Sequence, residues 1–295
     1  MIGLAIGLAV FVGVALGLLG GGGSILTVPL LAYVAGMDAK QAIATSLLVV
    51  GVTSVIGAIS HARAGRVQWR TGLIFGAAGM AGAYTGGLLA RYIAGTVLLI
   101  GFAVMMIATA AAMLRGRKNV EATAGNRALP VPKILAEGLV VGLVTGLVGA
   151  GGGFLVVPAL ALLGGLPMPV AVGTSLIVIA MKSFAGLGGY LSSVQIDWTV
   201  ALAVTGAAVV GSVIGARLTA MVDPEVLRKA FGWFVLAMSS VILGQEIHPS
   251  VGVAAAALTA IAAGATLACA RLQICPLRRL TGAAAPTLNA ASPAI

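Results

Sequence analysis

The chain has 295 residues, of which 60% are hydrophobic and only 8% charged. A soluble domain carries about 25% charged residues, so this inventory cannot cover a water-facing surface and specifies an integral membrane protein. The formal net charge of +10 would suggest nucleic acid in a soluble protein. Here Lys and Arg cluster in a few loops, where they set orientation in a bilayer, so the partner is lipid and no nucleic acid is expected.

In chain order, the first apolar stretch, about Ile2–Leu19, has no basic n-region ahead of it, and it reads as a first span that is not a cleavable signal. It runs into four consecutive glycines, Gly20–Gly23, each costing a helix about 1 kcal/mol relative to alanine. The next apolar segment, Ile25–Ala35, is too short to cross about 30 Å of hydrocarbon. With the first helix it predicts a hairpin whose tip lies inside the membrane. Three full spans follow, about Lys40–His61, Thr71–Ala90 and Gly95–Leu114. A polar linker, residues 115–133, separates these from a second apolar half, residues 134–245. An extra span within residues 246–271 and a tail of 272–295, rich in Ala, Pro and Thr and expected to be disordered, complete the chain. Alternating ten-residue strands are absent, which argues against a barrel.

The second half repeats the first. "GLLGGGGSILTVP" (Gly17–Pro29) returns as "GLVGAGGGFLVVP" (Gly146–Pro158), Thr45-Ser46 returns as Thr174-Ser175, and Trp69 returns as Trp198. The offset is constant, since 146 − 17, 174 − 45 and 198 − 69 all equal 129. Residues 1–114 and 134–245 are therefore two products of one gene duplication.

Loop charge orients them. The loop with Arg63, Arg66 and Arg70 is basic, while its counterpart carries only Asp197. Conversely, the loop with Arg91 alone corresponds to one holding Arg217, Arg228 and Lys229. Under the positive-inside rule, equivalent loops face opposite sides, and the linker and the C-terminus are cytoplasmic. The expected fold is an all-α polytopic membrane protein of two inverted-topology repeats. Each repeat is a Gly-broken hairpin plus three spans, and one C-terminal span is added. Arg91 departs from this pattern, and four parallel crossings per half is the alternative. Inverted repeats with broken helices mark secondary transporters, whose site lies near the midplane.

The doubled glycine motif followed by A-x-x-T-S-L (Ala42 to Leu47) or its counterpart resembles the sulfite exporter TauE/SafE family, also described as toluene-sulfonate uptake permeases. Gly17, Gly20, Gly22, Gly23 and Pro29 match its first motif, and Gly146, Gly149, Gly151, Gly152 and Pro158 its second. The resemblance covers about residues 1 to 244. It implies a permease of the bacterial inner membrane for sulfite or organosulfonates, with another small anion or solute as the alternative.

The residues give that substrate a plausible chemistry. A scattered glycine, among 43 in all, reads as close helix packing. The clusters Gly21, Gly22, Gly23 with Ser24, and Gly151, Gly152, Gly153, read as cradles. Helices restarting after such a break expose N–H donors at a positive dipole end. Thr45, Ser46, Thr174 and Ser175 are candidate hydroxyl donors, although a lone Ser or Thr usually bonds its own helix. Lys182 lies deep in its span, seven residues after Ser175. Intramembrane charges usually mark a pathway or counter-ion, and snorkelling to the interface is the structural alternative. The small anionic substrate would thus meet backbone, hydroxyl and ammonium donors.

No cofactor is expected. Cys269 and Cys275 form neither a disulfide framework nor a metal spacing. A hydrolase built on Ser24 with His61, or on Ser175 with Lys182, is disfavoured because neither pair is within reach. The sequence leaves open whether the protein is a monomer or a homo-oligomer.

Overall fold

An α-helix satisfies its own backbone groups within one segment, as an apolar chain in lipid requires. The structure is a computed structural model and describes residues 2–19, 25–114, 131–149, 156, 160, 166, 168–218 and 224–272. Among them no strand occurs. The long helices are α1 (Ile2–Leu19), α2 (Ala39–Arg63), α3 (Trp69–Leu89), α4 (Gly95–Leu114), α5 (Val131–Val148), α6 (Met168–Leu191), α7 (Trp198–Leu218), α8 (Pro224–Glu246) and α9 (Pro249–Leu272). Four stretches, Ala39–Arg63, Trp69–Tyr92, Val170–Leu191 and Trp198–Leu218, are long and apolar enough to cross a membrane. Of the expected linker, residues 115–130 lie outside the described residues, as does the tail beyond Leu272.

The repeat register carries over to the helices. Residues 131 − 2, 168 − 39, 198 − 69 and 224 − 95 all differ by 129, so α5, α6, α7 and α8 start at the counterparts of α1, α2, α3 and α4. α9 has no counterpart and packs on α8, where Gly252 approaches Gly244 backbone to backbone. Farther along α9, Val253, Leu258 and Ile261 are each more than two-thirds exposed.

The short segment after the first glycine cluster is a single irregular helical stretch: Thr27–Pro29 is α-helical, and Leu30–Val34 is wound as a π-helix. At about 1.5 Å per residue it spans only a fraction of a bilayer. Ile25, Val28 and Leu31 are fully buried among the other helices. An irregular backbone at membrane depth is tolerated when protein covers it, and protein covers this one. In the second half, Val156 and Leu160 are the counterparts of Thr27 and Leu31 (156 − 27 and 160 − 31 both give 129) and are equally buried.

Packing is crosswise between the halves. α1 lies against α7 and α5 against α3, so the first helix of each half is seated on the other half. Glycines allow it. A Cβ built at Gly211 would stand 2.1 Å from Val10 O, and one at its counterpart Gly82 would stand 2.2 Å from Leu139 O. Gly13 lies against Ala208 as Gly142 lies against Gly79, so both interfaces use the same register. This is the small-residue packing of membrane helices, in which backbones touch directly.

Helix directions follow from the same contacts. Along α3, Gly72 meets Thr174, Gly76 meets Met181 and Gly87 meets Gly189, so α3 and α6 run parallel. Between α2 and α6 the order reverses: Gly57 meets Leu176, Gly51 meets Phe184, and Leu47 meets Gly186. The repeat mates α2 and α6 therefore run antiparallel. Trp69 and Trp198 begin α3 and α7, and both are about half exposed, at 56% and 49%. Such amphipathic rings settle at the membrane–water boundary.

Candidate functional site

Of the expected site residues, Gly21, Gly22, Gly23, Ser24, Gly151, Gly152 and Gly153 lie outside the described residues. Thr45, Ser46, Thr174, Ser175 and Lys182 are described, and each is at most 1% exposed.

Lys182 is placed by the antiparallel pairing of α2 and α6. Interpolating between Gly51–Phe184 and Gly57–Leu176 puts Thr53, its repeat mate, at the same level. The lysine stem runs along α3, its Cβ and Cδ about 4 Å from the position a Cβ would take at Gly79. Its Nζ is buried and finds no hydrogen-bond partner. Snorkelling requires the ammonium to reach water, and this one does not. An unpaired ammonium at the centre of a spanning helix costs about 2.5–3.5 kcal/mol on insertion scales.

The two Thr-Ser pairs flank Lys182 and do not meet. Ser175 lies seven residues before it, and Thr45 is level with about residue 188 of α6. Each pair is therefore about 10 Å from Lys182 along the axis.

Within the pairs the four hydroxyls have different occupations. Ser175 Oγ donates to Val172 O at 2.7 Å, the back-bonding usual for a serine in a helix. Thr174 Oγ1 accepts from the backbone N–H of Gln68 at 2.9 Å and so holds the start of α3. Ser46 Oγ shares its proton between Ile43 O at 2.7 Å and Gly149 O at 2.8 Å. Thr45 Oγ1 is buried and is the hydroxyl of the four with no hydrogen-bond partner.

Gly149 explains one motif glycine. It ends α5 with φ +73°, and its N–H bonds Thr145 O at 2.9 Å, the left-handed cap that glycine supplies without a Cβ penalty. Ile43 leaves no room for a side chain there: its Cγ2 would stand 2.3 Å from an added Cβ. Gly17 and Gly146 do something else, since an added Cβ at each would strike the backbone of Ser212 or Ala83 at 2.2 and 2.3 Å. The second motif thus joins a packing glycine, Gly146, to a capping glycine, Gly149, three residues later.

Sequence reasoning missed several polar groups. Thr27 Oγ1 in the short helical segment and Ser183 Oγ beside Lys182 are buried and unpartnered. Ser183 could have been found, because Ser54 repeats it at the same offset, 183 − 54 = 129. Tyr190, fully buried, donates its phenol proton to Leu147 O at 2.5 Å.

A cavity of about 670 Å³ opens at the Thr45 end, lined by Tyr33, Asp38, Lys40, Gln41, Gln195 and Glu246 among others. Tyr33 donates to Glu246 Oε1 at 3.1 Å, tying the short helical segment to the end of α8. Gln41 Nε2 bonds Gln195 O at 3.3 Å. Thr45 is one helical turn below Gln41 on the same face of α2. The described residues hold no cluster of His, Cys, Asp and Glu that could ligate a metal.

The profile of the family described as Sulfite exporter TauE/SafE matches residues 5–242. A "probable membrane transporter protein" of Xylella fastidiosa (strain Temecula1) is 34% identical over 248 residues, 81% of this chain and 94% of its own. The "probable membrane transporter protein YunE" of Bacillus subtilis is 31% identical over 68% of this chain and 82% of its own. A "probable membrane transporter protein" of Methanocaldococcus jannaschii is 28% identical over 76% and 90%. No solved structure matches the chain. The profile ends within α8, which leaves α9 outside the match.

Proposed function

We propose, from the premise that the chain belongs to the sulfite exporter TauE/SafE family of membrane transporters, that it carries small sulfur-containing anions such as sulfite or organosulfonates. Transport proceeds by alternating access around Lys182. The observation that carries this reading is the Lys182 ammonium, buried at 1% exposure with no hydrogen-bond partner. An anion arriving at that level supplies the missing charge and receives a charge-assisted hydrogen bond, about 1.5–3 kcal/mol. Thr45 adds a hydroxyl on the side of the cavity, which serves as the vestibule. The glycine clusters lie outside the described residues; from their sequence they are expected to supply further backbone donors.

The antiparallel run of α2 and α6 supports two inverted repeats, and the crosswise seating of α1 and α5 supports an exchange between two equivalent packings. Loop charge supports a cytoplasmic linker and C-terminus in a bacterial inner membrane, an orientation in which the vestibule faces outward. Export of an anion from a negative-inside cell gains about 2.3 kcal/mol per charge per 100 mV. Family and relatives are named as transporters, and Ser175, whose proton is given to Val172 O, is not poised as a nucleophile.

The test is flux of sulfite, sulfate, thiosulfate and small sulfonates into proteoliposomes, with wild type and Lys182→Met. One sulfur anion is carried by wild type and stabilises it thermally. Lys182→Met, of similar length but neutral, loses most of that stabilisation. Unchanged affinity in the Met variant removes Lys182 from the site.

A further inference from the structure

Tyr190 and His61 occupy the same position in the two repeats, since 190 − 61 = 129. Tyr190 is fully buried, whereas His61 is only partly buried. Tyr190 closes α6, and its hydroxyl reaches Leu147 O near the C-terminus of α5. Ser46 donates to Gly149 O, two residues later. The last carbonyls of a helix have no partners of their own, and inside a bilayer each orphan costs several kcal/mol. The end of α5 is therefore held by two hydroxyls, one from each of the antiparallel helices α2 and α6.

The other end is built from the counterparts. His61 closes α2 and lies against α6, its Cβ 3.1 Å from the position a Cβ would take at Gly173. The counterpart of Leu147 is Leu18 (147 − 18 = 129), near the C-terminus of α1. Imidazole, like phenol, carries a ring-borne hydrogen-bond donor. Yet His61 Nδ1 is buried and has no partner. Among the described residues, Tyr190 latches its end, while His61 Nδ1 at the mirror position holds no hydrogen bond.

We propose that Tyr190 and His61 are mirror-image latches, positioning residues that hold the C-terminal carbonyls of α5 and α1 in opposite conformations of the transport cycle. In the conformation described here, Tyr190 is engaged with Leu147. In the other, Tyr190 and Ser46 release α5 while His61 takes the Leu18 carbonyl. Because α2 and α6 are antiparallel, the two latches stand at opposite ends of one helix pair. A tilt that opens one end closes the other. The inference rests on the alternating-access reading above and assigns its gates.

The test uses buried reporter cysteines at repeat-related alanines, Ala42→Cys and Ala171→Cys, both 0% exposed in wild type. Cys269 and Cys275 are first replaced by Ser. Labelling rates with a membrane-permeant maleimide are compared without substrate. Tyr190→Phe removes one latch, and His61→Tyr supplies the other with the phenol that works at its mirror position. Both raise the ratio of the Ala42→Cys rate to the Ala171→Cys rate by threefold or more, although they act at opposite ends. A ratio unchanged in either variant, or moved in opposite directions by the two, overturns the latches. So does an equal rise at both reporters in Tyr190→Phe, which is what mere loosening would give. Anion flux through wild type is measured in parallel. An unmoved ratio with flux intact removes the latches alone, whereas absence of flux for every sulfur anion removes the transport reading whatever the ratio does.

Discussion

Gly149→Ala puts a methyl group where two independent features forbid it. The residue holds φ +73°, a conformation that costs an L-residue about 1–2 kcal/mol. The new Cβ would also stand 2.3 Å from Ile43 Cγ2 and 3.1 Å from Ile43 Cα. Overpacking of this kind typically costs about 1–3 kcal/mol. Together the two terms give about 2–5 kcal/mol, and at about 2–4 °C per kcal/mol the melting temperature of purified protein falls by about 4–20 °C. The two terms separate experimentally. Ile43→Ala in the same chain removes Cγ2 but leaves the positive φ and the Ile43 Cβ and Cα at 3.0 and 3.1 Å, so the double variant recovers the Cγ2 part of the packing cost only. The coupling in that cycle is about 1–3 kcal/mol, the range for residues in contact. Because Gly149 O is the acceptor for Ser46, flux falls as well. A Gly149→Ala protein that melts with wild type, or a cycle with no coupling, refutes the account of this helix end.

Thr45→Val separates a ligand hydroxyl from a structural one. The hydroxyl is buried without a partner, so if no ligand uses it the valine variant is at least as stable and carries anion normally. Its use in binding predicts equal or higher melting temperature with a severalfold weaker anion-dependent stabilisation, measured by thermal shift. Topology is checked with single cysteines at Gly65 and Val194, in the turns after α2 and α6. An impermeant thiol reagent on intact cells labels Val194→Cys and spares Gly65→Cys, and equal behaviour of the two rejects the inverted arrangement.

Much of the helix plan was legible because the duplication supplies its own alignment. The glycine motif, the Thr-Ser pair and the tryptophan fix one offset, and α1 to α4 reappear as α5 to α8 at that offset. Partners were harder to read than positions. α1 is apolar all round, so no face of it shows that it lies on α7. The contact is written in single glycines, Gly13 and Gly211, which look like any others among 43. Within the site, residue type indicated that hydroxyls matter but not what each does. Whether Ser46 donates to a solute or to Gly149 O depends on where the end of α5 falls, and that is set by long-range packing. The pairing of His61 with Tyr190 escaped notice because the two side chains differ, although their positions do not.

The crosswise seating of α1 has a consequence for how the protein is made. Its main neighbour, α7, begins 179 residues after α1 ends, counting from Leu19 to Trp198. At about 5–20 residues per second, roughly 10–35 s pass before the ribosome delivers it. Throughout that interval the groove of small residues on α1 faces whatever the insertion machinery or the lipid offers. α5, by contrast, emerges after its neighbour α3 and can dock at once. α1 is thus seated late, and a ribosome that stops short of α7 leaves its glycine groove unfilled.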